Sequence, residues 1–498
     1  MALWNAAFGY STLAITLARN ILLVPLYLRY IPLVQYGAWL ATGGALVTLL
    51  IADFGLSGVV MQRVAACAGR GNHARLRATI VAGLVNALVL ALGLTLLCSL
   101  IAPFLPGTQG LDAAAVARIV TCFLIAVAAN GFGIVALGAA AAVRGLQKPV
   151  AAGSMQMSAD LLSIVVTVGG LIGGLGLYAL ALAMLARSVA WTVGGLAVLY
   201  FTGRRVPAAQ KFDWNDSFAL WRDAGKFFVT SIAMRLQLQT NTVVVGAVLG
   251  PTTAAMYALT VRAHETVNVV LLQLNAALCP VLAHLAGAGQ QARLDGVIRS
   301  LLPLVAAIAA VGLAAVVVFN ESFITLWVGE AAFGGQAVTI LMALALWIGA
   351  LASIGYEALL ARGAFATIAR SYALASVTHL AMLLALVKLG AWGAPLASCV
   401  SAVVLGVGLW RHVLRDMGVG ARERWQLILD PLAIGAIAAL TAGVCIGLLP
   451  RATGWPALFG EAVLVGALLA ALLLILRPSL RRLVRTELLT TLRAVRAT

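Results

Sequence analysis

Apolar residues occupy this chain in long blocks separated by short polar gaps, without the strict alternation of a half-buried strand. Nearly the whole sequence divides into about fourteen stretches of roughly 20 to 28 residues, each long enough to cross a hydrocarbon core of about 30 Å as a helix. The predicted spans are 5–28, 36–61, 78–102, 116–142, 150–172, 175–200, 224–249, 254–285, 298–320, 336–360, 368–388, 391–412, 429–449 and 457–477. Backbone polar groups in lipid must be satisfied within the segment, so the expected class is all-α, a polytopic membrane protein.

The exceptions inside the blocks carry the chemistry. Arg19, Arg187, Arg235 and Arg262 lie near the middles of apolar stretches. An arginine at a membrane-helix centre costs about 2.5 to 3.5 kcal/mol to insert, so it persists where it faces protein-lined water or a counter-ion. Several such cations imply a route for an anion. In span 224–249, Ser231, Arg235, Gln239 and Thr242 recur at helical spacing on one face, with Gln237 and Asn241 at its edges, a stripe unsuited to lipid. Span 5–28 repeats the idea with Thr12, Thr16, Arg19 and Asn20; span 254–285 does so with Arg262, Glu265, Thr266 and Gln273, joined by His264, Asn268 and Asn275.

Three intramembrane carboxylates oppose these cations. Asp160 and Arg187, at similar depths on consecutive spans, read as a structural pair. Arg262 and Glu265 either pair along one helix or act directly on a ligand, and Asp53 either pairs with Arg19 or serves as a gate or protonatable group. Asp53, Asp160 and Glu265 are thus the candidate coupling or counter-ion residues. Arg19 and Arg235 lead the substrate-binding candidates, with Asn20, Gln239, Asn241 and Arg262 beside them. A planar, permanently charged guanidinium suits phosphate because it forms bidentate, charge-assisted hydrogen bonds. His264 and His379 are expected to be packed or hydrogen-bonded rather than proton relays.

Basic residues fall almost wholly into alternate gaps. Arg63 to Arg77, Arg144 and Lys148, Arg204 to Lys226, Arg293 and Arg299, Arg362 and Arg370, Arg411 to Arg424 and the tail share one side. The other side holds Arg29, Arg118, Lys388 and Arg451. The positive-inside rule then places both termini in the cytoplasm. With 63% hydrophobic and 10% charged residues and a mean hydropathy of +1.04, a water-soluble globule is excluded. The net charge of +17 sits in short loops beside apolar spans, which fits anionic lipid head groups better than nucleic acid. The six cysteines, Cys67, Cys98, Cys122, Cys279, Cys399 and Cys445, lack metal-ligand spacing and read as reduced thiols. No cofactor or metal is implied. The first span is too long for a signal peptide and carries Arg19, so it is expected to stay attached. Lys148, Lys211, Lys226 and Lys388 are the only lysines among 33 Lys and Arg residues, a bias that suggests a GC-rich bacterial genome and the inner membrane.

The polar stretch 202–223 is the expected inter-lobe linker, with Trp214, Phe218 and Trp221 on one face of a surface helix. It separates a six-helix lobe, 1–201, from a second, 224–415, followed by an additional helix pair, 416–477, and a basic amphipathic tail, 478–498. Asn20, Leu28 and Tyr36-Gly37 recur in spacing as Asn241, Leu249 and Tyr257-Ala258. This aligns the first span with the seventh in a parallel repeat.

Several stretches resemble the polysaccharide flippases of the superfamily that also contains multidrug and toxin exporters and lipid II flippases. They are Arg19-Asn20-Ile21 with Pro25, Tyr36-Gly37-Ala38-Trp39, and Ala52-Asp53-Phe54-Gly55-Leu56 followed by Arg63. The resemblance implies a V-shaped pair of six-helix lobes around a cationic cavity that alternates between inward-open and outward-open states. It implies an undecaprenyl-pyrophosphate-linked oligosaccharide as cargo, for exopolysaccharide or O-antigen synthesis, with Arg19 and Arg235 in the cavity. Asn241 stands where many relatives carry an acidic residue, which leaves a coupling role there in doubt. Membrane lipids, a polysaccharide polymerase and co-polymerase, and a proton or sodium ion are the implied partners. The rivals are a lipid II flippase and an ion-coupled multidrug exporter, the latter expected to show twelve spans and an acidic first-helix site. A membrane enzyme is disfavoured, since the external gaps are short and no nucleophile or paired-acid constellation is visible.

Overall fold

The computed structural model describes residues 22–46, 53, 55–69, 73–105, 111–146, 148–203 and 214–481. No strand occurs among them. By contacts the chain divides into two compact units, Met1–Ala255 and Met256–Thr498.

In the first unit the helices are α1 (22–30), α2 (Leu33–Trp39), α3 (Leu56–Gly69), α4 (His73–Ile101), α5 (Ala113–Gly145), α6 (Pro149–Ile172), α7 (Leu177–Gly203) and α8 (Trp214–Leu249). A π-helical segment, Leu40–Leu46, continues α2. Helix α9 (Pro251–Thr260) crosses the division. The second unit then contains α10 (Arg262–Gly287), α11 (Gln291–Val328), α12 (Gln336–Ala361), α13 (Phe365–Leu386), α14 (Gly393–Asp416), α15 (Ala421–Leu448) and α16 (Trp455–Leu476).

Ten helices among the described residues are long and apolar enough to cross a membrane. They coincide with ten of the expected spans, so the full count of about fourteen is not reached on this standard. The four spans left over are the first, second, seventh and eighth. The first lies outside the described residues up to position 21, and the second partly so. The seventh, in α8, and the eighth, broken into α9 and α10, are helical but carry the polar stripes. The first and second correspond to the seventh and eighth in the expected repeat, so the deficit falls on equivalent positions.

Each unit is built around one central helix. In the first, α5 buries a row of small residues that includes Ala126, Ala129, Ala136, Ala139 and Ala140. Small side chains let backbones approach where lipid offers no hydrophobic driving force. A Cβ at Gly195 of α7 would stand 2.8 Å from the Ala139 Cβ, and the Thr192 hydroxyl donates to the Phe132 carbonyl at 2.8 Å. In the second unit α12 has the corresponding place against α14, where Trp410 Nε1 donates to the Leu351 carbonyl at 2.9 Å. The order of packing closeness is the same in both units: α5 with α7, α6 with α7, α4 with α5, α3 with α5, and correspondingly α12 with α14, α13 with α14, α11 with α12, α10 with α12. A parallel repeat is therefore present in the packing as well as in the residue spacing. Helix α8, the first of the second repeat, packs in the first unit against the π-helical segment, α3 and α4.

The additional pair, α15 and α16, rests mainly on α11, and the two helices touch one another little. At one end Arg451 pairs with Glu321 at 2.5 Å, the Ala452 amide donates to the Ser322 hydroxyl at 3.2 Å, and the Phe323 ring meets Trp455 edge-on. At the other, Arg299 pairs with Glu423 at 3.0 Å.

Candidate functional site

Helix α8 carries the stripe. Ser231, Arg235, Gln239 and Thr242 are all partly buried, whereas Thr240 and Asn241 are buried, Asn241 to 4% exposure. Arg235, Gln237 and Asn241 each engage a neighbouring group. Beyond the stripe α8 comes close to the π-helical segment, since a Cβ at Gly246 would stand 2.6 Å from that of Ala41. π-Helical turns are wider than α-turns and occur often at functional sites. Gly250, at φ +91, then turns the chain into α9, a backbone region open mainly to glycine. Arg19 and Asn20, like Thr12 and Thr16, lie outside the described residues, as do residues 204–213 of the linker and the tail after Arg481, whereas the linker from Trp214 onward is the start of α8.

Asp53 sits at the start of α3. Its carboxylate accepts the Ser57 amide at 3.2 Å, the Gly55 amide at 3.4 Å and the Ser57 hydroxyl. These are the helix N-terminal donors that a capping carboxylate ordinarily satisfies, so its acceptor capacity is largely committed to the turn.

Asp160 on α6 and Arg187 on α7 meet at 2.5 Å through Arg187 Nε. The guanidinium carbon also stands 5.2 Å from the centroid of the Trp191 ring, within cation–π range. The Asp160 side chain is only 5% exposed and that of Arg187 27%. Such a pair fixes one helix against the next.

In the second unit the helix breaks at Val261, and Arg262 opens α10. Arg262 Nη1 donates to Glu265 Oε2 at 2.8 Å; Arg262 is 20% exposed and Glu265 50%. A buried network braces the break. Asn320 Nδ2 donates to the Thr260 carbonyl and to the Thr339 hydroxyl, both at 2.9 Å. The Thr260 hydroxyl accepts the Gly334 amide at 2.7 Å, and His264 Nε2 meets the Thr339 carbonyl at 2.9 Å. A carbonyl released by a helix break would be costly if left without a donor; here Asn320 of α11 supplies it, and Thr339 of α12 holds Asn320 and His264 in place. Thr260, Asn320 and Thr339 were not singled out in the sequence, where Asn320 closes an apolar span without periodic polar neighbours. The break presents Arg262 at a helix N-terminus, whose partial positive charge adds to that of the guanidinium.

Among the described residues no group of three or more His, Cys, Asp and Glu side chains is placed to hold a metal ion. The arrangement offers arginines at partly exposed positions of polar-striped helices, donors whose charge and geometry suit an anion.

The family model described as "Polysaccharide biosynthesis protein" matches residues 6–286. No curated protein matches the chain. Among solved structures, the lipid II flippase MurJ in an inward closed conformation superposes with a TM-score of 0.64 at 12% identity, covering 95% of this chain and 98% of that one. An inward-facing multidrug resistance MATE family transporter of the MOP superfamily gives 0.62 at 14% identity, covering 82% and 94%. A MOP superfamily transporter from Pyrococcus furiosus, whose binding pocket is described as reversed in polarity, gives 0.56 at 15% identity, covering 84% and 94%. At these identities the likeness is one of fold.

Proposed function

From the premise that this chain belongs to the polysaccharide biosynthesis protein family, we propose that it moves undecaprenyl-pyrophosphate-linked oligosaccharide repeat units across the bacterial inner membrane by alternating access. The family match carries the reading, because it covers the first, second, seventh and eighth spans, where polar side chains interrupt the apolar pattern. A route for sugars and phosphates must replace their hydration with hydrogen bonds and positive charge, yet bind weakly enough for release. In this reading Arg19, Arg235 and Arg262 hold the pyrophosphate in turn, Asn20, Gln239 and Asn241 meet sugar hydroxyls, and the polyprenyl chain stays in lipid. Both termini are cytoplasmic, and the protein performs no covalent chemistry. A polysaccharide polymerase and co-polymerase receive the product, and a proton or sodium gradient resets the cycle through Glu265, since Asp53 is committed to its turn and Asp160 to Arg187.

One observation favours a second reading. The MurJ superposition takes in nearly the whole chain, while the MATE structures leave more of it uncovered. A lipid II-type cargo, also pyrophosphate-linked, is thus a closer rival than drug export.

The test is made in cells lacking the protein, following labelled lipid-linked oligosaccharide. The intermediate should accumulate in the inner leaflet and be released by wild type. Arg235→Ala should lower outward movement about 10- to 100-fold, as loss of a charged hydrogen bond worth about 1.5 to 3 kcal/mol implies, at unchanged protein level. Partial rescue by Arg235→Lys would identify charge as the requirement; failure to rescue would identify fork geometry. An unchanged intermediate in the deletion strain would sink the oligosaccharide assignment, and accumulation of lipid II instead would favour the rival.

A further inference from the structure

A groove in the second unit has no part in the transport reading. It lies where the N-terminal ends of α11 and α15 meet the C-terminal end of α16, with a volume of 1270 Å³. All three helices change character at this level. On α11, Arg293 and Arg299 give way to Leu301, Leu302 and Leu304; on α15, Glu423 gives way to Leu427 and Leu429; α16 ends on Leu476, followed by Arg477. Charged side chains next to apolar ones at three adjoining helix ends mark the boundary between head groups and hydrocarbon. Pro303 and Pro431 line the groove. Each lacks the amide that a helical hydrogen bond would use.

The charges define the occupant. Glu423 pairs with Arg299 at 3.0 Å, and Asp430 pairs with Arg477 while accepting the Ser479 hydroxyl at 2.8 Å. Both carboxylates are therefore neutralised, and Arg293 supplies the one positive charge left over among the lining residues. Among the described residues its guanidinium donates to Gln290 alone, from Nη1 at 3.0 Å, which leaves donors for a ligand. A single net positive charge complements one phosphodiester. The volume exceeds the roughly 300 to 1,000 Å³ of ordinary small-ligand pockets, and the floor is leucine and proline.

We propose that this groove binds one anionic glycerophospholipid, its phosphate on Arg293 and the outer edge of Arg299 and an acyl chain along Leu304 and Leu427. The C-terminal tail is a poor alternative on charge. Residues 482–498 hold four arginines and one glutamate, the same sign as the groove's excess charge.

The full-length protein is placed in nanodiscs of phosphatidylethanolamine with a minor fraction of phosphatidylglycerol, and retained lipids are counted by native mass spectrometry after mild release. Wild type should enrich phosphatidylglycerol about fivefold, the factor that one arginine near anionic lipid provides. Arg293→Glu should abolish the enrichment, with Arg293→Gln as the substitute if the reversal impairs folding. No enrichment in wild type, or full enrichment in both Arg293 variants, would overturn the assignment. Deletion of residues 482–498 should leave retention unchanged; a severalfold rise would show that the tail occupies the groove and would equally overturn it. These readouts do not depend on transport.

Discussion

Two arginine–carboxylate pairs, one in each unit, share a composition and differ in almost everything else. Asp160 and Arg187 come from separate helices, 27 residues apart, with the carboxylate enclosed and an indole against the guanidinium. Arg262 and Glu265 share one turn of α10, three residues apart, and half of the glutamate faces out. The first pair depends on tertiary packing and has little access to a ligand. The second joins residues of one helix turn, and its carboxylate is open to solvent where that of Asp160 is not. Residue type and depth along the chain do not separate these roles; burial and the origin of the partner do.

Breaking the first pair should have the largest effect. Removal of one member of a buried ion pair leaves an uncompensated charge and costs about 3 to 5 kcal/mol. Asp160→Ala should therefore lower thermal stability in detergent sharply and reduce the yield of folded protein. Replacing both residues together, Asp160→Leu with Arg187→Met, should recover most of the loss, because the apolar pair carries no desolvation penalty. If Asp160→Ala kept full stability and lost only transport, the pair would be part of the working site instead of the scaffold.

The brace beneath Arg262 comes next. Asn320→Ala withdraws the donor from the Thr260 carbonyl and from the Thr339 hydroxyl. A buried acceptor left unsatisfied costs about 1 to 3 kcal/mol. A loss of stability in that range, with hydrogen exchange raised around residues 256–266, would show that the break at Val261 is held by α11 and α12. Exchange unchanged there would mean that the break is set by its own residues.

The same contrast decides what could be read from sequence. Long apolar spans were legible because membrane crossing needs only length and composition, and the ten that qualify fall where the blocks predicted. The Asp160–Arg187 pairing was suggested by matching depth. The break at Val261 left no local trace, since span 254–285 has neither glycine nor proline near that point and the residues bracing it are 60 and more positions away. Nor did composition indicate the π-helical turn at Leu40–Leu46. Asp53 is a different case. Its acidic side chain, just ahead of Gly55 and of Ser57 in the first turn of α3, is a local helix-start signal, and its carboxylate is taken up by that turn. Polar stripes identified α8 and α10 as unusual, but which of their side chains are buried depends on neighbours that periodicity does not reveal.

The smallest effect tests the exposed pair itself. Exposed i,i+3 and i,i+4 ion pairs contribute about 0.2 to 1 kcal/mol and weaken with salt. Glu265→Gln keeps the shape of the side chain and one acceptor, so stability should fall by less than about 1 kcal/mol, and the difference from wild type should vanish at high ionic strength. Transport carries the decisive information. If Glu265 only competes with the cargo phosphate for Arg262, its neutralisation leaves the guanidinium more available and tightens substrate binding, so that half-saturation falls while the maximal rate stays level or drops through slower release. If Glu265 carries a coupling proton, the same variant loses gradient-driven transport yet retains passive exchange down a concentration gradient. Measuring both modes in proteoliposomes, with and without an imposed pH gradient, separates competition from coupling at this one residue.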